Sequence, residues 1–311
     1  MIDHLKRRHF LLALSSVTIL GLNKAGANDM PAQWNTIIEQ TKALERAALK
    51  LGFTADWRQY APPHFSIKPP AEESRILDVE KKIGRPLPST LRHFFKACSS
   101  GIDIYWLLPG KMTDTTGYVD VTFTLVPPKP FSDDKNEPLI NSGGFRIDLD
   151  EIVELCDARR NWIDSFRQEA SKQTDEGGKA HYTVYANMME RGFPITTNGG
   201  GDIVAIDMES PGEELFMSFH DGSDEPAWIF GQNLLDHLDQ QSRLGFIGFE
   251  IYILSLFENE KKNQQAITAF NNTYKDKEAV EEYELAAISA HVLDWASDNG
   301  KAWRNWLQLS D

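Results

Sequence analysis

The sequence predicts an α+β fold, with a mixed sheet flanked by helices, an N-terminal helix and a helical C-terminal extension. Three observations predict it. Apolar residues recur at helical spacing from residue 34 to residue 51, period-two alternation marks short strands between residues 102 and 230, and the chain has helical patterns again beyond residue 245. Its 311 residues are 41% hydrophobic and 25% charged, the composition of an ordinary folded protein.

The first 27 residues have the three parts of an export signal. A basic start is followed by an apolar run, which ends at a small-residue cleavage box formed by Ala25 and Ala27. The start resembles the bacterial twin-arginine signal, in which a receptor recognises the arginine pair. The residues that carry this resemblance are Arg7, Arg8, Phe10 and Leu11.

This signal predicts a periplasmic protein that is cleaved after Ala27. Its apolar run is shorter and more polar than the roughly 20 apolar residues of a stable membrane span, so we expect no span after cleavage. The alternatives are an uncleaved anchor and a cytoplasmic protein whose translation starts at Met30.

Breaks in the pattern divide the chain into five segments. The signal is followed by an N-terminal helix, a proline-rich connector with the main domain boundary, a central domain and the helical C-terminal extension. Their ranges are 1–27, 28–53, 54–71, 72–242 and 243–311.

Helices and strands alternate in the central domain. Two apolar helical stripes flank the turn at residues 86–88, a third helix is expected to start near residue 152, and Asn233 is expected to start a fourth. Residues 172–179 are predicted to form a polar loop. Strands are expected at residues 102–106, 119–125, 145–149 and 228–230, with a hairpin formed by residues 203–208 and 215–220.

The charge balance limits the possible partners. The chain has a formal charge of −14, and without residues 1–27 it has 28 basic and 45 acidic residues, or −17. Binders of nucleic acid need a basic face that displaces phosphate counterions, so the sequence disfavours a nucleic-acid partner. An acidic surface is suited to a basic protein partner, or it serves only to keep the protein soluble.

Two cysteines, Cys98 and Cys156, fit no Cys/His zinc spacing. Two buried thiols are favoured over a disulfide. The sequence also lacks the motifs of serine hydrolases, zinc proteases, phosphate-binding loops and dinucleotide-binding folds. We therefore expect no cofactor, no metal and no catalytic site.

The middle of the chain resembles the SUKH superfamily, which includes fungal cell-wall-synthesis regulators and bacterial immunity proteins against polymorphic toxins. The resemblance spans about residues 72 to 242. It is carried by the opening helix with its Gly-Arg-Pro-Leu-Pro turn, then by Phe-Pro-Ile at 193–195, Asn-Gly-Gly-Gly-Asp at 198–202, and Phe-His-Asp at 219–221. It implies a SUKH-like sheet with flanking helices and a toxin as the partner.

Six residues are candidates for partner binding: Tyr105, Trp106, Asp202, Asp207, His220 and Asp221. Aromatic residues beside a small-residue turn can anchor an interface, and core burial is the alternative for both. In a strand, Asp202 and Asp207 lie on opposite faces, which favours structural roles over a shared metal or acid/base site. His220 could act as a base or ligand, but a structural histidine is favoured.

The sequence therefore predicts a non-enzymatic protein-binding module, either an exported immunity protein that neutralises a toxin or an envelope-maintenance factor. The alternative is a periplasmic hydrolase that uses His220 and nearby carboxylates.

Overall fold

A computed structural model describes residues 30–56, 61–114, 119–198, 200–219, 227–274 and 289–309. Its α-helices are α1 (Met30–Leu51), α2 (Glu73–Ile83), α3 (Ser89–Ala97), α4 (Ile152–Lys172), α5 (Glu176–Arg191), α6 (Leu234–Leu244), α7 (Ile251–Leu254), α8 (Glu260–Tyr274) and α9 (Asp298–Trp306). Short 3₁₀ turns at Leu149–Glu151 and Ser255–Phe257 accompany α4 and α7.

The described strands form two sheets and a hairpin. They are β1 (His64–Ile67), β2 (Gly101–Leu107), β3 (Gly110–Asp114), β4 (Val119–Phe123), β5 (Ser142–Asp148), β6 (Gly192–Thr197), β7 (Ile203–Asp207), β8 (Glu214–Ser218), β9 (Ala227–Asn233) and β10 (Ser289–Ala290). One sheet has the order β1-β2-β5 and is antiparallel; the other has the order β10-β9-β8-β7-β6, and its β10–β9 pair is parallel. The α+β class predicted from the sequence is confirmed.

Local signals in the sequence set several helix ends. Gly84 ends α2 and Gly245 ends α6, each in the left-handed conformation that glycine adopts without steric cost, with φ of 74° and 80°. The side chain of Asn233 accepts the backbone N–H of Asp236 at 3.0 Å, which caps α6 as the sequence predicts.

One buried cluster extends through most of the described chain. It includes Trp34 in α1, Phe94 in α3, Ile206 in β7 and Trp303 in α9. The N-terminal helix and the predicted C-terminal extension therefore share the core of the central segment. A smaller cluster covers the other face of the five-stranded sheet, between the sheet and residues of α5 and α8.

Three sequence predictions of local structure are wrong. The prolines of the connector predict that it lacks regular structure, but it contains β1. The residues between its two proline pairs join the edge of the sheet, where flanking prolines are tolerated. The predicted loop at 172–179 includes the start of α5, where the Asp175 side chain caps the N–H of Gly178 at 2.7 Å. The C-terminal segment is not wholly helical, because β10 pairs with β9 despite its local helical spacing.

Both cysteines are buried free thiols, as the favoured interpretation of the sequence has it. Burial raises the pKa of Cys98 to about 12, and burial also raises the pKa of Cys156. At neutral pH the Cys98 thiol is therefore protonated and weakly nucleophilic.

The turn at the C-terminal end of α6, which continues through Gly245 and Phe246, is hydrogen bonded to the three-stranded sheet. The last carbonyl groups of a helix have no partner within the helix. The indole N–H of Trp106 in β2 donates to the carbonyl of Gly245 at 2.7 Å, and the backbone N–H of Gly144 in β5 donates to the carbonyl of Phe246 at 2.7 Å. Gly143 permits this approach, because a Cβ there would lie 2.4 Å from the Phe246 oxygen.

The same turn is hydrogen bonded to α9. The indole N–H of Trp303 donates to the carbonyl of Leu244 at 2.7 Å, and Arg304 donates to the carbonyl of Arg243 at 3.0 Å. Trp303 and Arg304 are both almost fully buried. The end of α6 thus connects the three-stranded sheet with the C-terminal helix.

His237, on the buried side of α6, is surrounded by aromatic rings. Its imidazole stacks on Phe249 with ring centroids 5.4 Å apart, and it also contacts Phe230 and Phe145. Neither ring nitrogen has a hydrogen-bond partner. Burial lowers the pKa of His237 to about 3.

We expect this histidine to make the fold sensitive to acid. An unfolded imidazole has a pKa of about 6.5, so between about pH 6.5 and about pH 3 the unfolded chain binds a proton that the folded chain does not. Stability is therefore lost as pH falls through this range. When the pH is lowered from 7 to 4.5, the free energy of unfolding in urea should fall by about 2 kcal/mol less for His237→Phe than for wild type.

The matched control is His64→Phe, because the side chain of His64 is 51% exposed. The change in acid sensitivity that His237→Phe shows beyond that of His64→Phe is then due to the buried histidine. An equal loss of stability on acidification in wild type and His237→Phe would contradict the assignment.

Candidate functional site

The three-stranded sheet has one buried face and one face open to solvent. Along β2, the side chains of Ile104 and Trp106 point into the core, while those of Asp103 and Tyr105 point outward. This alternation is the period-two pattern of a half-buried strand.

Strand register places Tyr105 at the centre of this outward face. It lies opposite His64 in β1 and Gly144 in β5. Asp103 lies opposite Ser66 and Arg146 in the same two strands. We call the outward surface of these six residues the Tyr105 face.

The tyrosine is accessible to a partner. Tyr105 is 42% exposed. Gly144 has no side chain that could cover the ring, and a Cβ there would lie 3.4 Å from Tyr105 Cδ2. Partial burial and the negative charge of Asp56 raise the pKa of the Tyr105 hydroxyl, so it is a neutral hydrogen-bonding group at pH 7.

The surroundings of the Tyr105 face are acidic. Its cations are paired: Lys68 with Asp148, and Arg146 with Glu151. Asp103 lies 3.4 Å from the His64 imidazole, which carries a charge only when protonated. With Asp56, whose negative charge acts on Tyr105, the face and its edges have four carboxylates and only two side chains of lysine or arginine.

Comparison with known proteins adds no assignment. No family model, curated protein or solved structure matches this chain. The likeness to the SUKH superfamily therefore stays a prediction from the sequence.

Trp106, predicted together with Tyr105 as a possible interface anchor, belongs to the core. It is fully buried, and its ring lies 4.9 Å from that of Phe53. Its indole N–H donates a hydrogen bond to the carbonyl of Gly245. The alternation of β2 explains the difference, because adjacent residues in a strand face opposite sides of the sheet.

Asp202 is part of the turn between β6 and β7. Its carboxylate accepts a hydrogen bond from Asn198 Nδ2 at 2.8 Å. In the same turn, Asn198 Oδ1 accepts the backbone N–H groups of Gly200 and Asp202. A buried carboxylate held in this way stabilises the turn.

Asp207 forms a buried ion pair with Arg191. The Arg191 Nε to Asp207 Oδ1 distance is 3.1 Å, and the second guanidinium nitrogen bonds the other oxygen. The guanidinium also lies 4.8 Å from the ring centroid of Phe270. Asp207 faces the smaller cluster, whereas Val204 and Ile206 face the main core, so the two aspartates do not meet.

The remaining predicted site residues, His220 and Asp221, lie outside the described residues, as do the six residues of the export signal. Phe219, just before them, is described, and its ring packs against Trp228 with centroids 4.7 Å apart.

A histidine–glutamate pair that the sequence did not reveal lies close to Phe219, since both Phe219 and the histidine contact Trp228. His291 Nδ1 is 2.5 Å from Glu258 Oε1, and the His291 ring contacts Trp228 at 5.8 Å. His291 is buried. It follows β10, within the stretch predicted to be helical, and the two partners are 33 positions apart. No local signal joins them.

The described part of the chain has no metal-binding cluster and no membrane-spanning helix. Within it, no group of three or more His, Cys, Asp or Glu side chains is arranged to hold a metal ion. None of its helices combines the length and hydrophobicity needed to cross a bilayer.

Proposed function

We propose that this chain is a non-enzymatic protein-binding module whose Tyr105 face holds a partner with a basic surface. The observation that carries the proposal is an open sheet face with an exposed tyrosine at its centre and carboxylates around it. Tyrosine is enriched among residues that dominate binding energy. Surrounding carboxylates attract a basic partner and speed its association.

The fold uses the other described candidates for its own stability. Trp106 fills the core, Asp202 bonds within a turn, and Asp207 neutralises a buried arginine. A residue that is buried and satisfied in the free protein contributes little to a new interface. Of the described candidates for partner binding, Tyr105 is therefore the one that we propose as the anchor of the interface.

The resemblance to the SUKH superfamily supports a toxin as the partner. Together with the export signal, it points to a toxin that acts in the periplasm, or to a role in envelope maintenance. The net charge of −17 without residues 1–27 agrees with a basic partner.

Replacing Tyr105 tests the face. Tyr105→Ala should lower the amount of partner captured from envelope extract by about tenfold or more, because it removes the central aromatic contact. Tyr252→Ala is the matched control, since Tyr252 is an exposed tyrosine in α7, outside the face. Quantitative pull-down with both variants and wild type measures the effect.

Salt provides the second arm of this experiment. Charges on the face are screened over about 10 Å at 0.1 M salt and about 3 Å at 1 M salt. Capture by wild type and Tyr252→Ala should therefore fall with ionic strength. Equal capture by Tyr105→Ala and wild type, or capture that does not respond to salt, would overturn the proposal.

Export is tested through the arginine pair. If Arg7 and Arg8 form a twin-arginine signal, replacing both by lysine should leave the precursor in the cytoplasm, because the receptor reads the pair. Fractionation and immunoblotting of wild type and the double variant measure this. Normal periplasmic accumulation of the double variant would contradict export by this route.

A hydrolase is the second candidate, and the His291–Glu258 pair favours it. A carboxylate at 2.5 Å from Nδ1 orients an imidazole in the way that general bases require. Trp228 contacts both His291 and Phe219, so the pair lies close to the residue that precedes His220.

The hydrolase candidate predicts a loss of turnover without loss of the fold. His220→Ala and His291→Gln should each lower a hydrolytic activity by about 100-fold. Thermal unfolding shows whether the variants are folded. A substrate panel on which wild type is inactive, or on which both variants retain full activity, eliminates this candidate.

A further inference from the structure

The three-stranded sheet has one covered edge and one open edge. At the covered edge, the backbone N–H of Gly144 in β5 donates to the carbonyl of Phe246 at 2.7 Å. The other edge is β1, which pairs with β2 and with no other described strand. An edge strand of this kind presents unpaired backbone groups, and an extended segment of another protein can bind there as an additional strand.

The register shows which backbone groups of β1 point to the open edge. Opposite residues of an antiparallel pair alternate between those that exchange hydrogen bonds and those that do not. The N–H of Lys68 donates to the carbonyl of Gly101 at 2.8 Å, so this pair is of the bonded type. Two residues earlier, Ser66 is therefore bonded to β2 as well. The N–H and C=O groups of Phe65 and Ile67 point away from β2, toward the open edge.

Hydrogen bonds elsewhere in the sheet agree with this alternation. Leu107 in β2 exchanges two backbone hydrogen bonds with Thr54, at 2.7 and 3.0 Å, so the odd-numbered residues of β2 bond on the side of β1. Leu108, just after β2, donates to Asn141 at 2.7 Å on the side of β5. No described residue forms a hydrogen bond with the outward backbone groups of β1.

Two proline pairs limit the open edge to a short segment. Pro62 and Pro63 precede β1, and Pro69 and Pro70 follow it. Proline has no backbone N–H and cannot continue a ladder of hydrogen bonds. A partner therefore pairs with the four residues of β1 and must itself be extended there.

The two faces of β1 select alternate side chains in such a segment. Phe65 and Ile67 pack against the main core but are only partly buried, so apolar side chains of an added strand would cover them. The other side of β1 belongs to the Tyr105 face, and the Asp103 carboxylate lies there on the adjacent strand. Neighbouring strands are about 4.8 Å apart, so a lysine or arginine of the added strand can reach across β1 to this carboxylate.

We propose that the edge of β1 binds an extended protein segment in which basic and apolar residues alternate. The inference rests on the proposed function, because it describes the form in which the partner of the Tyr105 face binds. A second copy of this chain is disfavoured as the occupant, since it would bring another molecule with a net charge of −14 to an acidic face.

A synthetic peptide of alternating lysine and valine residues tests the edge. Amide hydrogen exchange of the full chain, measured residue by residue by NMR, should slow at Phe65 and Ile67 when the peptide is bound, because their N–H groups then donate to it. The N–H groups of Ser66 and Lys68 are the internal control. They already donate to β2, so their exchange should change little.

Methylation of the peptide backbone separates strand pairing from attraction by charge. Successive N–H groups of an extended peptide point to opposite sides, so only one alternate set can donate to β1. Methylating that set should weaken binding in fluorescence anisotropy by about tenfold or more, through the loss of two backbone hydrogen bonds. Methylating the other set should leave binding nearly unchanged. Weakening by methylated valines indicates an antiparallel segment, and weakening by methylated lysines indicates a parallel one.

Three results would overturn this inference. One is unchanged exchange at Phe65 and Ile67 at the highest soluble concentration of peptide. Another is equal affinity of the two methylated peptides, which would indicate attraction by surface charge alone. The third is slow exchange at Phe65 and Ile67 without peptide that becomes fast on dilution, which would show a second copy of the chain on the edge.

Failure of the edge and failure of the proposed function give different results. If Tyr105→Ala loses partner capture while the two methylated peptides bind equally, the Tyr105 face binds its partner without strand addition. If Tyr105→Ala and wild type capture the partner equally, the face itself is excluded, and this inference is excluded with it.

Discussion

The fold depends on how the carbonyl groups at and just beyond the end of α6 are satisfied. A helix end buried without partners would cost about 1–3 kcal/mol for each orphaned group. Here the indoles of Trp106 and Trp303 donate to Gly245 and Leu244, and the Gly144 amide donates to Phe246. One helix end thereby fixes the three-stranded sheet on one side and α9 on the other.

This constraint also determines the surface that we propose for binding. Trp106 must point inward to reach the carbonyl of Gly245, so its neighbour Tyr105 must point outward. Gly143 and Gly144 have complementary effects, since the first lets Trp106 approach α6 and the second leaves the Tyr105 ring uncovered. A one-residue shift of β2 would exchange the core and the binding face.

Much of the fold could be predicted because its signals are local. The Asn233 cap, Gly84, Gly245 and the β7–β8 hairpin all follow from residues close together in sequence. β10 could not be predicted, because its pairing with β9 overrides a helical spacing. For the candidate sites, the sequence indicated Tyr105 but could not separate it from Trp106. It gave no sign of the His291–Glu258 pair, whose members are 33 positions apart.

Native-state hydrogen exchange, followed by mass spectrometry over a denaturant series, tests the central role of the α6 end most directly. If this turn unites the chain, amides in β2, the last turns of α6 and α9 should open with the same free energy and the same denaturant dependence. Trp303→Phe, which removes the indole N–H donor and leaves a smaller aromatic ring in place, should lower protection in β2 as well as in α9. Exchange of α9 at low denaturant, with β2 and α6 still fully protected, would show that the C-terminal segment is a separate unit and would contradict this account.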